Sequence, residues 1–125
     1  TLSGPLGAGK STLIRAMLRS LGVTGPIKSP TYALVEPYNI SNFTIYHFDF
    51  YRFADPSEWE TAGLADCFRP DAVCLIEWPE RMGALLPADA IHLRLIPDGD
   101  QRRAEVTPGP RPGLTEALCR DWGAE

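Results

Sequence analysis

Residues 4 to 11, Gly-Pro-Leu-Gly-Ala-Gly-Lys-Ser, match the pattern G-x-x-x-x-G-K-[ST] in full. That spacing suits one task, the cradling of a polyphosphate. Gly4, Gly7 and Gly9, with Leu6 and Ala8 between them, let backbone N–H groups turn inward, and the helix that follows aims its positive end at the same oxygens. Lys10 reaches the terminal phosphates, the Ser11 hydroxyl can ligate magnesium, and Thr12 adds a hydroxyl near the inner phosphates. At ordinary residue frequencies such a match arises by chance in only ~0.5% of chains this long. Lys10 is also one of two lysines, the other being Lys28. There is no N/T-K-x-D-like guanine-reading motif, which favours ATP over GTP.

Two carboxylates are candidates for the rest of the site. In "AVCLIEWPE", Val73 to Ile76 form a short apolar run that ends in Glu77. The second phosphate-site motif of such proteins usually ends in a magnesium-holding Asp. A Glu there can instead orient an attacking water, because its extra methylene moves the carboxylate. The plain alternative is a solvent-facing acid at a strand end. In "HFDFYRF", His47, Asp49 and Tyr51 alternate with phenylalanines and are expected on one face of a strand. An Asp between two phenylalanines is costly unless its charge is compensated, and magnesium beside a phosphate loop would compensate it. An exposed polar face is the competing reading. The candidate magnesium ligands are therefore Ser11, Asp49 and Glu77, with Glu77 the candidate catalytic group. Thr31, in "KSPTY", could present a hydroxyl to the metal and γ-phosphate or belong to an ordinary turn, and Arg52 could meet a phosphate or lie on the surface.

These residues must be positioned by a sheet and at least one helix. "STLIRAMLRSLG" puts Leu13, Met17 and Leu21, with Ile14 and Leu18, on one helical stripe ended by Gly22. "TGPIKSPTY" reads as loop. "YALVEPY" and "FTIYHFDFYRF" read as strands, with "NISN" the turn between them. In "DPSEWETAGL", Asp55 is the expected N-cap, Pro56 the first helical residue and Glu58 the reciprocal capping acid. A strand over 72–77, a loop over "PERMGALLPAD", a hairpin around "DGD" and a short C-terminal helix in "LTEALCRDW" complete the chain. The pattern predicts an α/β fold: a P-loop NTPase-like, three-layer arrangement of a mixed central sheet flanked by helices. One domain over residues 1–125 is expected. The phosphate loop begins within four residues and no initiator Met is present, so part of the first strand is expected to be missing.

The bulk numbers narrow the partners. Net charge is −4, from 12 basic and 16 acidic residues, with no Lys/Arg run, which disfavours direct binding of a nucleic-acid backbone. No segment is long and apolar enough to span a membrane, and Cys67, Cys74 and Cys119 form no C-x-x-C pair. Small, buried, unbridged thiols and a cytoplasmic location are the expectation.

Taken in order, "GPLGAGKST", "SPTYALVEPY", "YHFDFYRF" and "IEWPER" resemble the TsaE (YjeE) family, the P-loop ATPases of bacterial tRNA threonylcarbamoyladenosine synthesis. The resemblance covers about residues 2 to 96. It implies an ATPase that uses Mg²⁺ and works with two partner proteins, TsaB and TsaD, on the adenosine beside the anticodon. tRNA would then be met through that complex. It gives Lys10, Ser11 and Thr12 to nucleotide and metal binding, Asp49 to magnesium, Thr31 to a switch-like position and Glu77 to catalysis. Trp78 is implied to lie near the nucleotide and partner surface. The chain departs from the family pattern in Ser11, where Thr is commoner, and in Pro5, where Asp is frequent. Two rival readings remain at this point: a small-molecule or nucleoside kinase, and a scaffold gated by ATP without useful hydrolysis.

Overall fold

The computed structural model describes residues 1–41, 43–55, 57–61 and 63–107. Six strands form one sheet in the order β2-β3-β4-β1-β5-β6. They are β1 (Leu2–Ser3), β2 (Val35–Ile40), β3 (Phe43–Asp49), β4 (Ala72–Glu77), β5 (His92–Asp98) and β6 (Gln101–Thr107). The four inner strands run parallel, and β2 and β6 add antiparallel edges. The mixed α/β sheet expected from the sequence is therefore present. The carboxyl ends of β3, β4 and β1 lie side by side, which is where open α/β sheets collect their ligands.

Helix α1 (Lys10–Ser20) follows the phosphate loop and covers one face. Its Ile14 and Leu18 are wholly buried against Leu2, Ile45, Leu75 and Leu93. Leu13 and Met17 support them, whereas Leu21 lies beyond the helix and is exposed. Gly22 does close the helix, at φ 101° with its N–H on the Arg19 carbonyl.

The opposite face is aromatic. Phe48 and Ile76, one pleat away from the helix-facing residues, meet Phe50, Phe53, Leu64 and Met82. Phe48 stacks between Phe50 and Phe68, each at 5.5 Å between ring centroids. Each such buried aromatic contributes ~1.5–3 kcal/mol relative to exposure, and this face clamps β3 and β4 from behind the site. Cys74 lies half-buried here, and burial pushes its thiol up to about 12. Cys67 is likewise half-buried rather than a core residue, and Cys119 lies outside the described residues.

Several boundaries differ from the sequence reading, for local reasons. The first predicted strand starts late. Leu34 takes a left-handed φ of 68° and its N–H bonds to the Pro30 carbonyl, so 31–34 is a turn and β2 begins at Val35. Pro37 is tolerated because β2 is an edge strand. β3 stops at Asp49, not Phe53, because the Asp49 carboxylate captures the Tyr51 N–H at 2.9 Å and turns the chain. Asn39 and Ile40 belong to β2, and Asn42 lies outside the described residues.

The capping chemistry at Asp55 is present. Its carboxylate accepts the Ser57 N–H, which holds it below the usual carboxylate range, and the Glu58 carboxylate accepts the Asp55 N–H. The helix it starts, α2 (Glu58–Thr61), is a single turn, followed by 3₁₀ turns at Leu64–Cys67, Pro79–Arg81 and Gly83–Leu85. The last two lie in the segment expected to be loop. Pro56 and the expected C-terminal helix lie outside the described residues. No helix among those described is long and apolar enough to cross a membrane.

Candidate functional site

The phosphate loop joins β1 to α1 and is braced from β5. Gly4 has φ 138°, and a Cβ there would sit 2.5 Å from the Leu95 carbonyl oxygen, so only glycine fits. Gly9 is left-handed at φ 101° and caps α1, where its carbonyl accepts the Leu13 N–H. The loop thus delivers Lys10, Ser11 and Thr12 on the first turn of a helix pointing its N-terminus into the cavity.

Lys10 is buried, and its ammonium donates to the carbonyls of Gly4 and Pro5. It also lies 4.2 Å from the centroid of the Trp78 ring. Trp78 reaches that place because its backbone is left-handed at φ 58°, a conformation that costs a non-glycine residue about 1–2 kcal/mol. Its other neighbour is Tyr51, at 5.0 Å between ring centroids. The indole is therefore held between a cation and an aromatic ring at the mouth of the cavity.

Both carboxylates project from the ends of adjacent parallel strands, and Asp49 pairs in register with Glu77. Glu77 is 3% exposed. One of its oxygens accepts the Ser11 hydroxyl at 3.1 Å and the other meets His47 Nε2 at 2.7 Å. Asp49 is 8% exposed. It accepts the Tyr51 N–H at 2.9 Å and the Thr31 hydroxyl at 3.3 Å, and Thr31 is itself bonded to Ser29 at 2.7 Å. Glu77 is not the solvent-facing strand end, nor Asp49 part of the exposed polar face, that the local sequence also allowed. In this arrangement Ser11 bonds to Glu77 rather than lying against Asp49.

A cavity of about 430 Å³ opens between these groups. Every site residue expected from the sequence lines it except Gly4, which underpins the loop from behind. Ser29 and Tyr51 join the lining. Arg52 does not: it donates to the Tyr32 hydroxyl and lies 4.4 Å from that ring centroid. Two contributors were missing from the expected set. His47 shares a strand face with Asp49, a relation visible in the alternation, but its carboxylate partner is 30 positions away. Arg102 on β6 donates to the carbonyls of Ala8 and Gly7 at 3.2 and 3.4 Å, and nothing in its local sequence marks it.

No cluster of three or more His, Cys, Asp or Glu among the described residues could enclose a metal ion. Magnesium bound with a nucleotide asks for less, one or two carboxylates and a hydroxyl, the remaining positions being phosphate oxygens and water. The Asp49 carboxylate with the Ser11 and Thr31 hydroxyls fits that demand.

Residues 1–105 match the family model for the threonylcarbamoyl adenosine biosynthesis protein TsaE. The chain is 50% identical over 105 residues to the tRNA threonylcarbamoyladenosine biosynthesis protein TsaE of Haemophilus influenzae, covering 84% of this chain and 66% of that protein. It is 36% identical over 121 residues to the Bacillus subtilis protein of the same name, covering 97% of this chain and 75% of that one. It therefore spans about two thirds to three quarters of these relatives. The crystal structure of Bacillus subtilis YdiB superposes with a TM-score of 0.69 at 27% identity, over 98% of this chain and 74% of that one. The phosphate loop, the paired strand-end acids and these matches converge, and the chain belongs to the TsaE family.

Proposed function

We propose that this protein binds Mg-ATP in the cavity above the phosphate loop and hydrolyses it in support of tRNA threonylcarbamoyladenosine modification. The observation that carries this reading is the meeting of a complete phosphate loop with two buried carboxylates around one cavity. Two acids beside a triphosphate would repel it unless cations intervene. Lys10 is one such cation. Its bonds to the Gly4 and Pro5 carbonyls are neutral contacts that phosphate oxygens can replace with charged, stronger ones.

Magnesium, when bound, neutralises charge on the terminal phosphates, and Asp49 with Ser11 would hold it, Thr31 standing beside Asp49. Loop N–H groups and Thr12 bind the inner phosphates. Trp78 covers the nucleotide beside Lys10. Glu77 is the group placed to orient a water toward the terminal phosphate and to accept its proton. Acting on ATP with TsaB and TsaD, in the cytoplasm, the protein would touch tRNA only through that assembly, in keeping with its net charge of −4.

Two measurements test this. Lys10→Ala is expected to weaken ATP binding by about 100-fold or more, given the loss of a charge-assisted phosphate contact. Unchanged ATP affinity in that variant would refute the phosphate-loop reading. Immobilised protein should retain the TsaB–TsaD pair in a way that responds to ATP. Absence of capture with and without nucleotide would remove the partner assignment while leaving ATP binding standing.

A further inference from the structure

We infer that His47 is a positioning residue for Glu77, fixing the carboxylate in the orientation from which it acts. The inference deepens the proposed function and rests on its assignment of Glu77. His47 is 4% exposed and sits on the helix-facing side of β3, where it lines a small cavity with Ser11, Ile14, Arg15, Ile27, Lys28 and Ser29. A buried imidazole is costly unless it is hydrogen-bonded. Its register partner on β4 is Leu75, so Glu77, two residues further on, is its diagonal neighbour on the same face. The Nε2···Oε2 distance of 2.7 Å is that of a strong, charge-assisted bond. A carboxylate accepts, so Nε2 carries the hydrogen.

The other ring nitrogen separates this from an ordinary core histidine. Nδ1 is buried and has no partner among the described residues. A histidine placed for stability is expected to satisfy both nitrogens, because each buried polar atom left alone is unfavourable. Among the described residues, the bond to Glu77 is the ring's single polar contact. On the carboxylate side the set is complete: Ser11 takes Oε1 and His47 takes Oε2. When Ser11 turns its oxygen toward a metal, His47 is the contact that keeps the Glu77 side chain from rotating. Displacing a reacting group by about 1 Å costs on the order of 100-fold in rate, and that is the loss His47 prevents.

The experiment measures single-turnover ATP hydrolysis with TsaB and TsaD present, and ATP affinity separately, for His47→Met, His47→Gln, Glu77→Ala and the Met/Ala double variant. Methionine fills the space without a donor. It should slow hydrolysis by ~30–100-fold while ATP affinity stays within about 2-fold, since the nucleotide contacts are elsewhere. Glutamine offers an N–H at similar reach and should recover the rate to within about 5-fold of the wild type. In the Glu77→Ala background, His47→Met should add nothing, because residues that act as a unit are not additive. Multiplying losses, equal losses for Gln and Met, or a fall in affinity matching the fall in rate would each overturn the inference. If methionine prevents folding, asparagine, too short to reach Oε2, replaces it under the same expectations. Full hydrolysis in Glu77→Ala, or none in the wild type, removes the underlying assignment and this inference with it. An inactive Glu77→Ala beside a fully active His47→Met removes this inference alone.

Discussion

Asp49 and Glu77 end neighbouring parallel strands in the same register, yet they occupy opposite kinds of setting. Glu77 is held entirely by side chains, Ser11 from the phosphate-loop helix and His47 from the next strand. Asp49 is held by its own turn, through the Tyr51 N–H, and by Thr31 from the loop before β2. The first acid is locked to rigid elements. The second is tied to two loop segments, its own turn and the stretch before β2. The role proposed for Glu77, aiming a small nucleophile, gains from rigidity. The difference in partners, rather than in position along the strand, separates the two roles proposed for them.

The largest expected effect breaks the Glu77 side of this comparison. Glu77→Ala should lower single-turnover ATP hydrolysis by about 100- to 1,000-fold, the range for loss of a positioned general base. ATP affinity should change little. A rate near that of the wild type would leave the protein as an ATP-gated assembly factor. Asp49→Ala comes next and should act on binding instead. Its affinity for Mg-ATP should fall by roughly 10-fold or more, the scale of one charged contact, while affinity for ATP with metal chelated away stays nearly constant. Equal losses with and without metal would make Asp49 a purely structural turn residue. If both variants lost rate and affinity together, the contrast itself would fail.

The smallest effect probes the opposite face of the sheet. Burial raises the Cys74 thiol from 9.0 to about 12, so the unfolded chain gives up that proton at lower pH than the folded one. The stabilisation is complete below the ordinary thiol value and is lost as pH rises from about 9 toward about 12. Cys74→Ala should flatten that part of the stability profile, read by denaturant unfolding between pH 8 and 10, and leave Mg-ATP affinity unaltered. A change in nucleotide binding would mean that the aromatic face and the site are more tightly coupled than their separate contacts indicate.

How far the sequence reached depended on the range of the interactions. The phosphate loop, α1, β4 and the β5–β6 hairpin follow from patterns spanning fewer than 20 residues, and each stands at or within a residue or two of its expected bounds. The misplaced boundaries at Leu34 and Asp49 arose where a side chain or backbone carbonyl captured a nearby N–H, an event that β-propensity does not register. The one-turn length of α2 was hidden for a similar reason. Its capping residues are those of a longer helix, but Gly63 turns left-handed at φ 67° and ends the run.

By itself the sequence determined which chemistry was available. A loop of glycines before Lys10 and Ser11 has few uses other than phosphate binding, and Glu77 closes a short apolar run, whereas Asp49 was expected inside a strand continuing to Phe53. Only the tertiary structure decided which groups each acid meets. The strand order β3-β4-β1 brings residues 11, 47 and 77 together, so Glu77 receives His47 and Ser11 while Asp49, one strand further from the loop, is left to Thr31 and Tyr51. Partners separated by 30 and 66 positions are chosen by sheet topology, and no local periodicity encodes that choice.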